Sequence, residues 1–132
     1  MPFPSVNVLV VEDHWSSLDV IGSFLENVGC RCKLAPDNYS ALRLAAAEDF
    51  SLLLTDAQLG NEDGWTLIHA LRGRGCLPPF VASMSAGTNR TQTDRSKAEG
   101  CNSHLIKPLR RKELEAILSK TERGDGSSLE LP

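Results

Sequence analysis

Two kinds of segment alternate along the chain. Short, nearly continuous apolar runs occupy positions 6–11, 32–35, 51–55, 80–83 and 103–106, each bounded by polar or turn residues. Runs of this length with such flanks predict strands buried on both faces of a parallel sheet. Each run is followed by a longer stretch whose apolar residues fall three and four apart. Between positions 15 and 28 these are Leu18, Ile21, Leu25 and Val28, and Gly29 stands where a helix end calls for left-handed backbone.

A second helix carries Ala41, Leu42, Ala45 and Ala46, with Asp37 or Asn38 as its cap. A third carries Leu67, Ile68 and Leu71 and ends in Arg-Gly-Arg-Gly. The fourth, over 89–99, is almost wholly polar, so it buries little and belongs among the mobile elements. The fifth follows Pro108 and presents Leu109, Leu114, Ile117 and Leu118, fraying near 119–122. Five strand–helix pairs in so few residues predict a doubly wound α/β domain with right-handed crossovers and helices on both faces. That domain spans 5–121, and 122–132, without periodicity, reads as a disordered tail, linker or cloning remnant.

Composition narrows the classes of function. The chain has 132 residues, 41% hydrophobic and 23% charged, with 14 Lys and Arg against 17 Asp and Glu for a net charge of -3. It lacks the basic excess of a phosphate-backbone binder, so no nucleic-acid partner is expected through this domain. No apolar run approaches the roughly 20 residues of a membrane span, and the amino terminus has no secretory pattern, which predicts a cytoplasmic location without membrane contact. The cysteines, Cys30, Cys32, Cys76 and Cys101, lack zinc-ligand spacing and are expected to be unlinked thiols, with Cys30 and Cys32 filling core or edge positions. Trp15 and Trp65 are expected to begin helices and pack at the surface.

Candidate chemistry lies at the carboxyl ends of the strands, where doubly wound sheets bind ligands. The first strand ends in Glu12-Asp13, the third in Asp56, the fourth in Ser85 and the fifth in Lys107-Pro108. Three carboxylates brought together repel unless a cation sits among them, and magnesium suits them, being hard, oxygen-seeking and usually shared with a substrate phosphate. The loop after the first strand, Glu-Asp-His-Trp-Ser-Ser, opens with acid and has no glycine. It therefore does not cradle a nucleotide phosphate, and a carboxylate nucleophile, Asp56, fits better. A haloacid-dehalogenase-type phosphatase needs a second aspartate two residues later, where Gln58 stands.

Taken in order, Val8-Leu-Val-Val-Glu-Asp13, Leu53-Leu-Thr-Asp56 with Asp63-Gly64, Ser83-Met-Ser85-Ala86 and His104-Leu-Ile-Lys107-Pro108 make the chain resemble the receiver domain of two-component response regulators. The resemblance implies a five-stranded, flavodoxin-like parallel sheet of order 2-1-3-4-5 with five helices. It implies that Asp56 accepts phosphate from a phosphohistidine of a partner kinase or phosphotransfer domain, in a reaction the receiver itself catalyses. It further implies that Glu12, Asp13, Asp56 and the Gln58 backbone carbonyl hold Mg2+, that Lys107 pairs with phosphate, and that Ser85 swings to hydrogen-bond it.

By the same resemblance His104 takes the position of an aromatic switch residue, coupling Ser85 to the face of the fourth helix, fifth strand and fifth helix. Gln58 and Gly87 fall where the family tunes water access to the acyl phosphate, the small Gly87 leaving it open. The usual Met-Pro is here Leu59-Gly60, which loosens the turn. The Glu-Asp-His opening and the absence of an output domain resemble the receiver of a membrane-bound hybrid sensor kinase as much as a stand-alone regulator. A phosphate-independent docking module is the alternative reading, and the downstream partner is unknown.

Overall fold

A computed structural model of the chain describes residues 3–87 and 90–124. In chain order the elements are β1 (Asn7–Val11), α1 (Trp15–Asn27), β2 (Arg31–Ala35), α2 (Asn38–Ala47), β3 (Leu52–Asp56), β4 (Gln58–Leu59), β5 (Glu62–Asp63), α3 (Gly64–Gly73), β6 (Phe80–Ala86), α4 (Arg90–Ala98), β7 (Ser103–Lys107) and α5 (Arg111–Arg123). The five long strands pair in parallel in the order β2-β1-β3-β6-β7. This is the expected 2-1-3-4-5 order, with β6 and β7 as the fourth and fifth strands.

Strand alternation divides the core in two. Val8 and Val10, Leu52 and Leu54, and Phe80, Ala82 and Met84 face one way, into a cluster closed by Leu18, Ile21 and Leu25 of α1 and Leu114, Ile117 and Leu118 of α5. Leu9 and Val11, Leu53 and Val81 face the other way, against Ala41 and Ala45 of α2 and Leu67, Ile68 and Leu71 of α3. The period-2 alternation of a strand thus meets the 3.6-residue stripe of a helix on each side. Cys30 is buried in the first cluster with Cys32 packed against it, and all four cysteines are free thiols. Burial pushes the Cys30 thiol up to about 11, so it is not a nucleophile at neutral pH.

Several expectations are refined. The central strands β1 and β3 are buried throughout, whereas β2 and β7, at the edges, are only partly covered. Asp37 caps α2, its side chain accepting from the Ser40 amide, and α3 ends within the Arg-Gly-Arg-Gly segment. The fifth helix does not fray at 119–122. It continues to Arg123 and stops at Gly124, a left-handed C-cap. Of the expected tail, 125–132 lies outside the described residues.

Trp15 is 80% exposed at the start of α1, but Trp65 is only 4% exposed. The expectation that both tryptophans lie at the surface therefore fails for Trp65. It sits in the first turn of α3, packs into the second core cluster, and lies beneath the Arg95 guanidinium 5.6 Å from its ring centroid. The Leu59-Gly60 segment is not a loose turn. Gly60, at φ 62°, lets the chain reverse so that β4 and β5 form a short antiparallel hairpin, and it leaves Leu59 buried. No helix among the described residues is long and apolar enough to cross a membrane.

Candidate functional site

The strand ends assemble a charged cluster at one edge of the sheet. β1 delivers Glu12, whose side chain is fully buried, β3 ends in Asp56, and β7 ends in Lys107. The Lys107 ammonium bridges the two acids, donating to Glu12 Oε1 and to Asp56 Oδ2, the latter at 2.6 Å. Asp56 Oδ1 accepts from the backbone amide of Gln58 at 3.0 Å. Asp13, 31% exposed, stands at the rim. The structure thus brings Glu12, Asp56, Lys107 and Gln58 into direct contact.

The two buried acids respond differently to the shared ammonium. Burial disfavours the charge on both. At Glu12 the Lys107 hydrogen bond and the His14 amide outweigh burial and hold the carboxyl below its ordinary value. At Asp56 burial prevails over Lys107 and the Gln58 amide, the Glu12 charge adds to it, and the carboxyl is pushed up. Lys107, although burial works against its charge, is held above the ordinary lysine range by Asp56 and Glu12. One ammonium among three carboxylates leaves the cluster short of positive charge. Its donors are hard oxygens, and a hard divalent cation supplies the missing charge, so these residues fit one.

Two further residues here stand in the motifs but were given no role from the sequence. His14 Nδ1 lies 3.3 Å from both Glu12 Oε2 and Asp13 Oδ1, and the three side chains bring ligand atoms within 4.8 Å of one another. Gly64 begins α3 against the carboxyl end of β3. A Cβ there would stand 2.4 Å from the Asp56 carbonyl oxygen and 3.1 Å from Thr55 Oγ1. Gly64→Ala is expected to cost about 1–3 kcal/mol, as over-packing does, and to displace the backbone carrying Asp56. A lowered urea midpoint checks it, and an unchanged one would contradict the packing argument.

Ser85 and His104 meet, but in a setting the sequence did not reveal. Ser85 is buried and its hydroxyl lies 2.8 Å from His104 Nε2. The other ring nitrogen, Nδ1, lies 2.6 Å from the hydroxyl of Ser83, which in turn lies 2.7 Å from that of Ser96 on α4. The half-buried ring is therefore already tied to Ser85. Gly87 is exposed and left-handed at φ 67°, and among the described residues no atom beyond its chain neighbours lies within 4 Å of where its Cβ would be.

Burial lowers the pKa of His104. Below the unfolded value of about 6.5 the unfolded chain therefore binds more protons than the folded one, and stability is lost as pH falls from there through the lower folded value. His104→Asn is expected to flatten that part of the curve. Urea unfolding of both proteins between pH 7 and 5 checks it, and parallel curves would contradict it.

A family model described as the response regulator receiver domain matches residues 8–119. Over 102 residues the chain is 29% identical to the sensor histidine kinase RcsC of Salmonella typhimurium, covering 77% of this chain and 11% of that protein. Over 127 residues it is 28% identical to the signal transduction histidine-protein kinase BarA of Escherichia coli, covering 94% of this chain and 14% of that protein. The chain thus spans a small part of the length of either kinase. It also shares its fold with the receiver domain in a co-crystal of the Saccharomyces cerevisiae histidine phosphotransfer signaling protein Ypd1 with its downstream response regulator Ssk1. That match has a TM-score of 0.80 and 23% identity and covers 94% of this chain and 93% of that one. With the strand order, the acidic cluster and the family match in agreement, the chain belongs to the response regulator receiver domains of two-component signalling.

Proposed function

We propose that Asp56 is the phosphoryl acceptor of a phosphorelay, drawing on a phosphohistidine of a histidine kinase or histidine phosphotransfer domain. The observation that carries this reading is the contact of one ammonium, Lys107, with two buried acids at the strand ends, Asp56 and Glu12. A carboxylate oxygen of Asp56 attacks phosphorus. The P–N bond of the donor breaks, its electron pair returns to the imidazole nitrogen, which takes a proton, and an acyl phosphate forms on Asp56.

Lys107 is placed to move from the carboxylate to a phosphoryl oxygen as negative charge arrives, remaining held by Glu12. The Gln58 amide fixes the rotation of the Asp56 carboxylate. Glu12, Asp13, Asp56 and the Gln58 carbonyl would hold Mg2+, which when bound neutralises charge on the transferring phosphoryl group. Ser85 turns to donate to a phosphoryl oxygen, and His104 transmits the turn towards α4, β7 and α5. Water cleaving the P–O bond restores the carboxylate, with Gln58 and Gly87 at the approach and Gly87 leaving it open. The four free thiols support a cytoplasmic location.

The test is incubation with a small phosphodonor, or a phosphorylated kinase, and Mg2+, followed by intact-mass measurement. An added phosphoryl mass that Asp56→Asn abolishes is expected. No adduct on the wild-type protein would sink the proposal.

A further inference from the structure

The α4 helix has an unusual seat. Of its nine residues only Ser96 is buried, at 2% exposure, and α4 contributes no residue to either hydrophobic cluster. What lies beneath it is polar. The Ser96 hydroxyl meets that of Ser83, which meets His104 Nδ1, while His104 Nε2 meets Ser85. The Cys101 thiol is within hydrogen-bonding reach of the Ser96 and Ser83 hydroxyls. The chain therefore runs unbroken from the strand end beside Asp56 to the helix.

A neutral imidazole has one N–H and one bare nitrogen, and each serine hydroxyl has a single hydrogen. A chain built from such groups has two self-consistent directions, and reversing one bond reverses the rest. We infer that phosphorylation of Asp56 reverses the hydrogen bonds of the chain Ser85–His104–Ser83–Ser96, moving the His104 proton from Nδ1 to Nε2 and so carrying the state of the site to α4. This rests on the phosphoryl-acceptor reading of Asp56.

Before phosphorylation Ser85 donates to His104 Nε2, the Nδ1–H donates to Ser83, and Ser83 donates to Ser96. A phosphoryl group offers only acceptors, so Ser85 must give it the hydrogen. Ser85 then stays bonded to the ring only by accepting from Nε2–H. Nδ1 becomes the acceptor, Ser83 donates to it, and Ser96 donates to Ser83. The three hydroxyl hydrogens turn about their C–O bonds, while the half-buried ring gives its Nδ1 proton to water and takes one from water at Nε2, with no net uptake. The hydrogen of Ser96 is drawn down towards the sheet, and the one buried side chain of α4 changes from acceptor to donor. Ser83 and Ser96 are thus positioning residues, acting through His104 on the hydroxyl that meets phosphate.

The experiment is 15N NMR of histidine-labelled protein, with and without a small phosphodonor and Mg2+, assigned by His104→Asn, alongside hydrogen exchange of α4. The expected result is a change of His104 from the Nδ1–H to the Nε2–H tautomer on phosphorylation. In Ser96→Ala the phosphoryl mass should reach the wild-type level while the exchange response of α4 falls at least threefold. An adduct with an unchanged tautomer, or a full α4 response in phosphorylated Ser96→Ala, overturns this inference alone. No adduct on the wild-type protein overturns it together with the acceptor assignment.

Discussion

Asp56→Asn is expected to give a protein that takes up no phosphoryl group yet unfolds within about 1 kcal/mol of wild type, since it removes a buried charge while keeping size and polarity. The two effects separate because Asp56 has opposing roles. Its carboxylate oxygen is the nucleophile of the proposed transfer, and an amide oxygen does not form a stable acyl phosphate. In the folded protein, however, its charge is disfavoured by burial and by Glu12, against which Lys107 and the Gln58 amide do not fully compensate. Asparagine keeps one acceptor for that amide or for Lys107, and Lys107 retains Glu12. Intact mass and urea unfolding read the two effects on the same samples. A phosphoryl adduct on Asp56→Asn would move the acceptor elsewhere. A loss of several kcal/mol would mean that Asp56 holds the fold, and lost acceptance would then say nothing about chemistry.

Lys107→Met is expected to do the reverse, costing about 3 kcal/mol at neutral pH without metal, because a buried carboxylate loses its counter-charge. Methionine fills much of the lysine stem but leaves fully buried Glu12 and nearly buried Asp56 without an ammonium. In the variant both carboxyls are pushed up in the folded state relative to the unfolded chain. The folded variant then binds the extra protons, so its stability falls as pH rises through those values, and the gap from wild type widens from acid to neutral pH. Mg2+ should restore part of the loss by supplying the missing positive charge. Urea titrations between pH 5 and 8, with chelator or with Mg2+, check this. A gap that is small at every pH would show that Lys107 does not neutralise the cluster.

Much of the fold was legible because burial patterns are local. The all-apolar runs at Val8–Val11 and Leu52–Leu54 are those of strands covered on both faces, and the three- and four-residue spacing in α1 and α5 marks one buried stripe each. The sequence is less informative where a partner distant in the chain decides the outcome. Trp65 reads as a surface residue until Arg95, thirty residues on, is seen above it. The β4–β5 hairpin turns on Gly60 adopting a positive φ, and Gly64 looks ordinary until the Asp56 carbonyl is found against it.

The same division runs through the site. Glu12, Asp13, Asp56, Ser85 and Lys107 could be named in advance because in a doubly wound sheet each strand end points to one edge, so residue type and position suffice. By itself, then, the sequence determined the α/β architecture, the strand order implied by its family motifs, and which acids, hydroxyl and ammonium share an edge. Only the tertiary structure decided how they pair: that one ammonium spans two acids, that hydrogen bonds outweigh burial at Glu12 while burial prevails at Asp56, and that Ser85 is joined through His104 and Ser83 to Ser96. Those outcomes depend on ångström-scale distances and on exclusion of water between segments up to 95 residues apart, and neither is encoded in any local pattern.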